Sequence, residues 1–264
     1  MRYCNIIFLL IILLPLQGCA TTYNLATQEE ELILMSSEKE ERIGENLADR
    51  VVERFELEND PLAQKRVKDI GKQIAAVCDR RSISYHFAIL ADEDKVNAFS
   101  LPGGYVFIFK GVLDKVESDD ELAAVIAHEV AHIAARHSAK RAQASLGDAF
   151  LRLALARTET DGVTRARIND ALNQLIMAYS REDEITADRL AIKYARLAGY
   201  NPEGTIVFLE RLIEIQQKGP IKPYYHYRSH PHLSERLAMA KEEVYGRMEF
   251  RDYINRSEET LPTR

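Results

Sequence analysis

His128-Glu129-Val130-Ala131-His132 lies in a largely apolar run, Leu122 to Ala135, directly after Ser118-Asp119-Asp120-Glu121. The polar tetrad has the form of a capping box with acidic side chains on the positive end of a helix. The spacing therefore predicts a helix from about Asp119 to beyond His137. On such a helix, residues four apart lie about 40° apart around the axis, so both imidazoles leave one face and can share a metal ion. Glu129, about 100° from His128, can reach a water on that metal without ligating it. A chain built this way must bury the helix and still bring a third ligand to it from elsewhere, because a catalytic zinc takes three protein ligands and keeps one position open.

The candidates for that third ligand are Glu159, Asp170, Glu182, Asp183, Glu184 and Asp188, and spacing alone does not choose among them. A metzincin arrangement is excluded: it needs Gly three residues and His six residues after His132, where this chain has Ala135 and Ser138. His137 is nine residues from His128, which on a continuous helix turns it about 180° away from the metal face.

The chain has enough apolar material to surround such a helix: 264 residues, 46% hydrophobic and 29% charged. A net charge of −6 gives no basic footprint, so nucleic acid is not an expected partner. Ile43, Leu47, Val51 and Phe55 predict one amphipathic helix, and Asn59-Asp60-Pro61 starts a second that runs to about Asp79. Cys78 continues the apolar face of Val67, Ile70 and Ile74 and is expected in the core. Alternation at Ile83, Tyr85, Phe87 and Ile89 predicts a strand, as do Val96 to Phe99 and Tyr105 to Phe109 on either side of Leu101-Pro102-Gly103-Gly104. Further helices are expected in Ala142 to Tyr179, over Arg181 to Leu197 with Gly199 as a left-handed cap, from Asn201-Pro202 to Gly219, and from about Leu233.

The amino terminus stands apart. Arg2, nine apolar residues from Ile6 to Leu14 and the small residues that follow have the pattern of a secretory signal, too short to span a bilayer. Leu16-Gln17-Gly18-Cys19 resembles the lipobox of bacterial lipoproteins, which implies cleavage after residue 18 and lipid on Cys19. Acyl chains contribute about 0.8 kcal/mol per buried methylene, enough together to hold a protein on a membrane without a spanning helix. Ala20 rather than Asp after the Cys implies the periplasmic face of the outer membrane; the outer face of the inner membrane is the alternative. The expected organisation is a signal over 1–18, a lipidated start and tether over 19–30, one peptidase domain over 31–250 and a tail over 251–264.

Ser180-Arg181-Glu182-Asp183-Glu184-Ile185-Thr186-Ala187-Asp188 resembles the SRxxExxAD motif of the HtpX-like and Oma-like zinc metallopeptidases. Asn97-Ala98-Phe99 with Pro102-Gly103-Gly104 and Gly111-Val112-Leu113, then Ala198-Gly199-Tyr200-Asn201-Pro202, and Ser229-His230-Pro231 with Arg236, resemble further segments of that family in the same order. The layout is most similar to its small periplasmic lipoprotein members.

The resemblance implies a mostly helical α+β fold of zincin type, in its gluzincin branch, with a small antiparallel or mixed sheet beside the active helix. It implies one Zn²⁺ per chain on His128, His132 and Glu184, with Glu129 as general base; the strand of Asn97 and Ala98, with Gly103 and Gly104 nearby, is expected to bind substrate as an added β-strand. It also implies that His230 either stabilises an oxyanion or takes the open zinc position and keeps the enzyme latent. Asp188, one helical turn after Glu184, can accept a hydrogen bond from a ligand histidine, and Arg236 is expected as an ion-pair partner. The expected activity is cleavage of misfolded or misassembled envelope proteins. The alternative is a chaperone or assembly factor for outer-membrane proteins whose proteolysis is restrained.

Overall fold

Ser36 caps the first long helix by accepting the Lys39 N–H, and Asp60 caps the second by accepting those of Leu62 and Ala63. In the computed structural model, which describes residues 21–33, 35–143, 172–173, 179–218 and 230–246, these are α1, Ser37–Arg54, and α2, Pro61–Val77. Ile43, Leu47 and Val51 are buried along α1, and Val67, Ile70 and Ile74 along α2, as their spacing requires. Cys78 closes the α2 face; burial raises its thiol pKa, and its S–H donates to the Ala75 carbonyl.

Three strands follow: β3 (His86–Leu90), β4 (Ala98–Leu101) and β5 (Tyr105–Phe109), with a 3-10 turn at Pro102–Gly104. Strands β3 and β4 begin three and two residues later than alternation suggested, and β5 has the bounds expected. The central strand is β5, parallel to β3 and antiparallel to β4. Val106 and Ile108 face α2 and the helix that carries His128 and His132, while Phe107 and Phe109 face α1 with Phe99 and Leu101. Coverage on both faces explains why β5 is apolar at every position rather than alternating. The turn needs glycine: Gly104 has φ +101°, and a Cβ there would lie 2.0 Å from the Ser84 carbonyl oxygen.

After the short α3, Lys110–Leu113, comes α4, Asp119–Ala134, in which every residue from Glu121 to Ala134 is buried. Ser118 accepts the Glu121 N–H as expected, but the Glu121 carboxylate takes the Arg211 guanidinium instead of closing the box. The helix also stops earlier than expected. Ala135 caps it, and Arg136 turns the chain at φ +57° into a separate helical stretch over 137–143. Three helices complete the described fold: α5 (Arg181–Leu197), α6 (Glu203–Lys218) and α7 (Leu233–Tyr245). Ser180 and Asp183 form a complete capping box on α5, and Gly199 follows it at φ +90°. The architecture is thus mostly helical α+β with a small mixed sheet.

Residues 21–30, expected within a tether, form with 31 and 32 a hairpin of β1 (Thr21–Asn24) and β2 (Glu29–Leu32). Glu31 is buried and accepts from Lys140, Asn24 and Thr27, which fastens the hairpin to the body. Cys19, the 1–18 signal, the 251–264 tail and most of the 142–179 segment lie outside the described residues. Among the described residues, no helix is long and apolar enough to cross a membrane.

Candidate metal centre

The middle of α4 presents His128 and His132 to the first two turns of α5, where Glu184 and Asp188 lie one turn apart, and His230 enters from the segment just before α7. His128, His132, Glu184 and His230 each offer a donor atom within 4.8 Å of the others, and all four residues are buried. His128 Nε2 is 3.1 Å from His132 Nε2 and 3.2 Å from His230 Nδ1. Glu184 stands 3.5 Å from His128 Nε2, 3.6 Å from His132 Nε2 and 2.9 Å from His230 Nδ1. A tetrahedron with bonds of about 2.0–2.1 Å has edges of about 3.3 Å, so these separations match a four-ligand cage. Packed so closely without a shared cation, buried carboxylate and imidazole donors would leave lone pairs facing one another. The donor set therefore fits a metal ion.

Glu129 is 1% exposed, with Oε1 3.4 Å from His230 Nε2 and no hydrogen-bond partner for Oε2 among the described residues. An orphaned buried carboxylate oxygen costs free energy unless it serves a bound group. Asp188 Oδ1 lies 2.8 Å from His128 Nδ1. Arg236 grips Asp188 with Nε at 2.6 Å and Nη2 at 2.8 Å, and reaches Glu184 with Nη1 at 2.8 Å. Burial opposes ionisation of Glu184, but the charges of His230 and Arg236 overcome it and hold the carboxyl well below its usual range. Burial and Arg236 also oppose charge on His128, yet Asp188 and Glu184 raise it to about 9. His132 is pushed well below the ordinary value by burial and by the neighbouring His128.

The family model described as Peptidase family M48 matches residues 61–244, which contain the whole cluster. The chain belongs to peptidase family M48. The chain is 26% identical to the "Beta-barrel assembly-enhancing protease" of Escherichia coli K12 over 194 residues, 69% of this chain and 39% of that protein. It is 35% identical to "Mitochondrial metalloendopeptidase OMA1" of Arabidopsis thaliana over 154 residues, 58% of this chain and 31% of that protein. It is 26% identical to "Metalloprotease LoiP" of Escherichia coli K12 over 156 residues, 58% of this chain and 60% of that protein. The match thus spans about two-fifths of the length of the β-barrel assembly-enhancing relatives.

Within this M48 domain the four residues expected at a substrate edge separate. Ala98 borders a cavity of about 30 Å³ together with His128, Glu129, Thr205 and Phe208. Asn97 is buried and accepts the Phe109 N–H through its carbonyl. Gly103 donates its N–H to Glu40 of α1, and Gly104 packs on Ser84. Two residues not singled out in the sequence join the site. Tyr179 stacks on His132 with ring centroids 3.8 Å apart, and the Arg141 guanidinium lies 4.5 Å from its ring centroid. His137, expected to face away, places Nδ1 2.9 Å from His132 Nδ1, because the chain turns at Arg136 instead of continuing as helix. A glycine after Ala134 would have marked that turn; an arginine there does not.

Proposed function

We propose that this chain is a zinc metalloendopeptidase in which His128, His132 and Glu184 hold the ion and Glu129 is the general base. The observation that carries the reading is the convergence of four buried donor atoms within 4.8 Å of one another beside a buried carboxylate with one oxygen unsatisfied among the described residues. Zinc, when bound, supplies the Lewis acidity that polarises a peptide carbonyl and acidifies water. Water is added across the peptide bond: its oxygen joins the carbonyl carbon, the C–N bond breaks, and Glu129 carries a proton from water to the departing amine. Asp188 and Arg236 hold His128 in the tautomer whose Nε2 is free to ligate.

His230 Nδ1 stands at the fourth vertex, where a catalytic zinc keeps an open position. This arrangement is a latent one, and His230 must withdraw before a substrate carbonyl enters. A chaperone or assembly factor would have no use for a buried base beside the donor set, so Glu129 favours the peptidase. Ala98 lies where an extended substrate could approach the base; Asn97, Gly103 and Gly104 support that edge through the backbone.

We further propose that lipid on Cys19 holds the domain at the periplasmic face of the outer membrane, where it cleaves misassembled envelope proteins. The support is the Leu16-Gln17-Gly18-Cys19 sequence behind an apolar run, and relatives that include proteases named for β-barrel assembly. The deciding experiment compares His230→Ala with the His230→Ala, Glu129→Gln double variant, each loaded with zinc, on unfolded casein. The single variant should cleave, and the double variant should bind zinc yet leave casein intact. Cleavage by the Gln form would overturn the assignment.

A further inference from the structure

We propose that His137 and Asp183 form a positioning pair that fixes the orientation and tautomer of His132 for metal binding; the proposal rests on the metal assignment above. His132 Nε2 faces the donor cluster, so its proton must reside on Nδ1, which then needs an acceptor. The atom in reach, 2.9 Å away, is His137 Nδ1, which can accept only if it is unprotonated. The proton of a neutral His137 is then on Nε2, and that atom faces Asp183 Oδ1 at 3.3 Å. One assignment of protons satisfies every contact: His132 Nδ1–H to His137 Nδ1, and His137 Nε2–H to the Asp183 carboxylate. Asp183 is held in turn by the capping box, its Oδ2 accepting the Ser180 N–H.

The two ligand histidines are therefore oriented from the same helix by different routes. Asp188 acts on His128 directly, and Asp183 acts on His132 through an intervening imidazole. The backbone is shaped for this. On a continuous helix His137 would sit about 140° around the axis from His132, and their rings would not meet. The turn at Arg136 brings them together, and Arg136 is held in place by Glu40 Oε2 and by the Met35 carbonyl.

The pair is tested by zinc affinity, measured on the full chain by competition with a chromogenic chelator, and by the visible absorption of the cobalt form. His137→Leu should weaken zinc binding by about 10- to 100-fold and alter the cobalt bands. His137→Gln, whose amide oxygen can accept from His132, should recover most of the affinity. Asp183→Asn, at a side chain 34% exposed, should weaken binding without unfolding the chain and supplies the same readout if His137→Leu fails to fold. Zinc bound as tightly by the Asp183→Asn and His137→Leu proteins as by wild type would overturn the pair, as would a Gln variant no better than Leu. A wild-type chain that binds no zinc would overturn the metal assignment itself.

Discussion

Glu40 is a fully buried anion paired with the guanidiniums of Arg80 and Arg136, and Glu40→Gln should be among the costliest single substitutions in the chain. Its side chain is 0% exposed, and those of Arg80 and Arg136 are 10% exposed. Oε1 accepts from Arg80 at 2.7 Å and from the Gly103 N–H at 3.2 Å; Oε2 accepts from Arg80 at 2.9 Å and from Arg136 at 2.8 and 3.1 Å. A glutamine keeps one acceptor oxygen and turns an NH₂ donor toward guanidinium donors, removing the carboxylate that both cations are paired with. Breaking a buried ion pair from one side costs about 3–5 kcal/mol. At about 2–4 °C per kcal/mol for a chain of this size, the melting temperature should fall by about 6–20 °C.

Urea unfolding followed by far-ultraviolet circular dichroism measures the difference, with the slope unchanged if the unfolded state is unaltered. The pH dependence is a second check. Burial raises the Glu40 carboxyl, but Arg80 and Arg136 outweigh it, so its folded pKa lies below the ordinary 4.5. A depressed carboxylate contributes stability above its unfolded pKa and loses it as pH falls through the folded value. The gap between wild type and Gln should therefore hold from neutrality down to about pH 4.5 and close only below it. A loss under about 1 kcal/mol, or a gap that persists undiminished at pH 2, would refute the assignment of the cost to charge.

Other substitutions probe the site and the turn. His230→Ala should raise casein cleavage by the zinc-loaded protein, and a fall would mean that His230 instead stabilises the oxyanion. Gly104→Ala forces a Cβ against the Ser84 carbonyl at a positive φ and should cost about 2–5 kcal/mol in urea unfolding; a neutral effect would show the turn free to shift. Removing metal with a chelator should lower the melting temperature, since a ligand at 100 times its dissociation constant adds about 2.7 kcal/mol. Identical melting curves with and without chelator would argue against a bound ion.

Much of the site was legible because its chemistry is local. His128 and Glu129 are neighbours on one helix with His132 one turn on, and Asp188 follows Glu184 by one turn, so helical spacing alone relates them. The choice of Glu184 among six carboxylates came from a resemblance between motifs and not from spacing. The helices α1 and α2 carried their signals in cap residues and four-residue apolar spacing. Long-range partners were not visible in this way. The turn that delivers His137 depends on Arg136 held by Glu40, 96 residues away in sequence. A left-handed non-glycine residue costs about 1–2 kcal/mol, which local pattern counts as a reason for the helix to continue. The amino-terminal hairpin was missed for a similar reason: Glu31 looks solvated until Lys140, 109 residues away, is placed beside it. The parallel pairing of β3 with β5, across the intervening β4, also depends on tertiary packing rather than on either strand's composition.

The burial of α4 on every side has a consequence for which parts of the site can open. Amide protons from Glu121 to Ala134 have no solvent-facing side through which a local fluctuation could expose them, so their exchange should follow the slowest, global opening of the chain. On α7 only Leu233, Arg236 and Ala240 are buried, and such an element opens at a smaller free energy. His128 and His132 thus belong to the part of the protein that opens last, and His230 is joined to a part that can detach first. Hydrogen exchange should divide the cluster along that line, with the fourth donor free to leave while the other three stay in register.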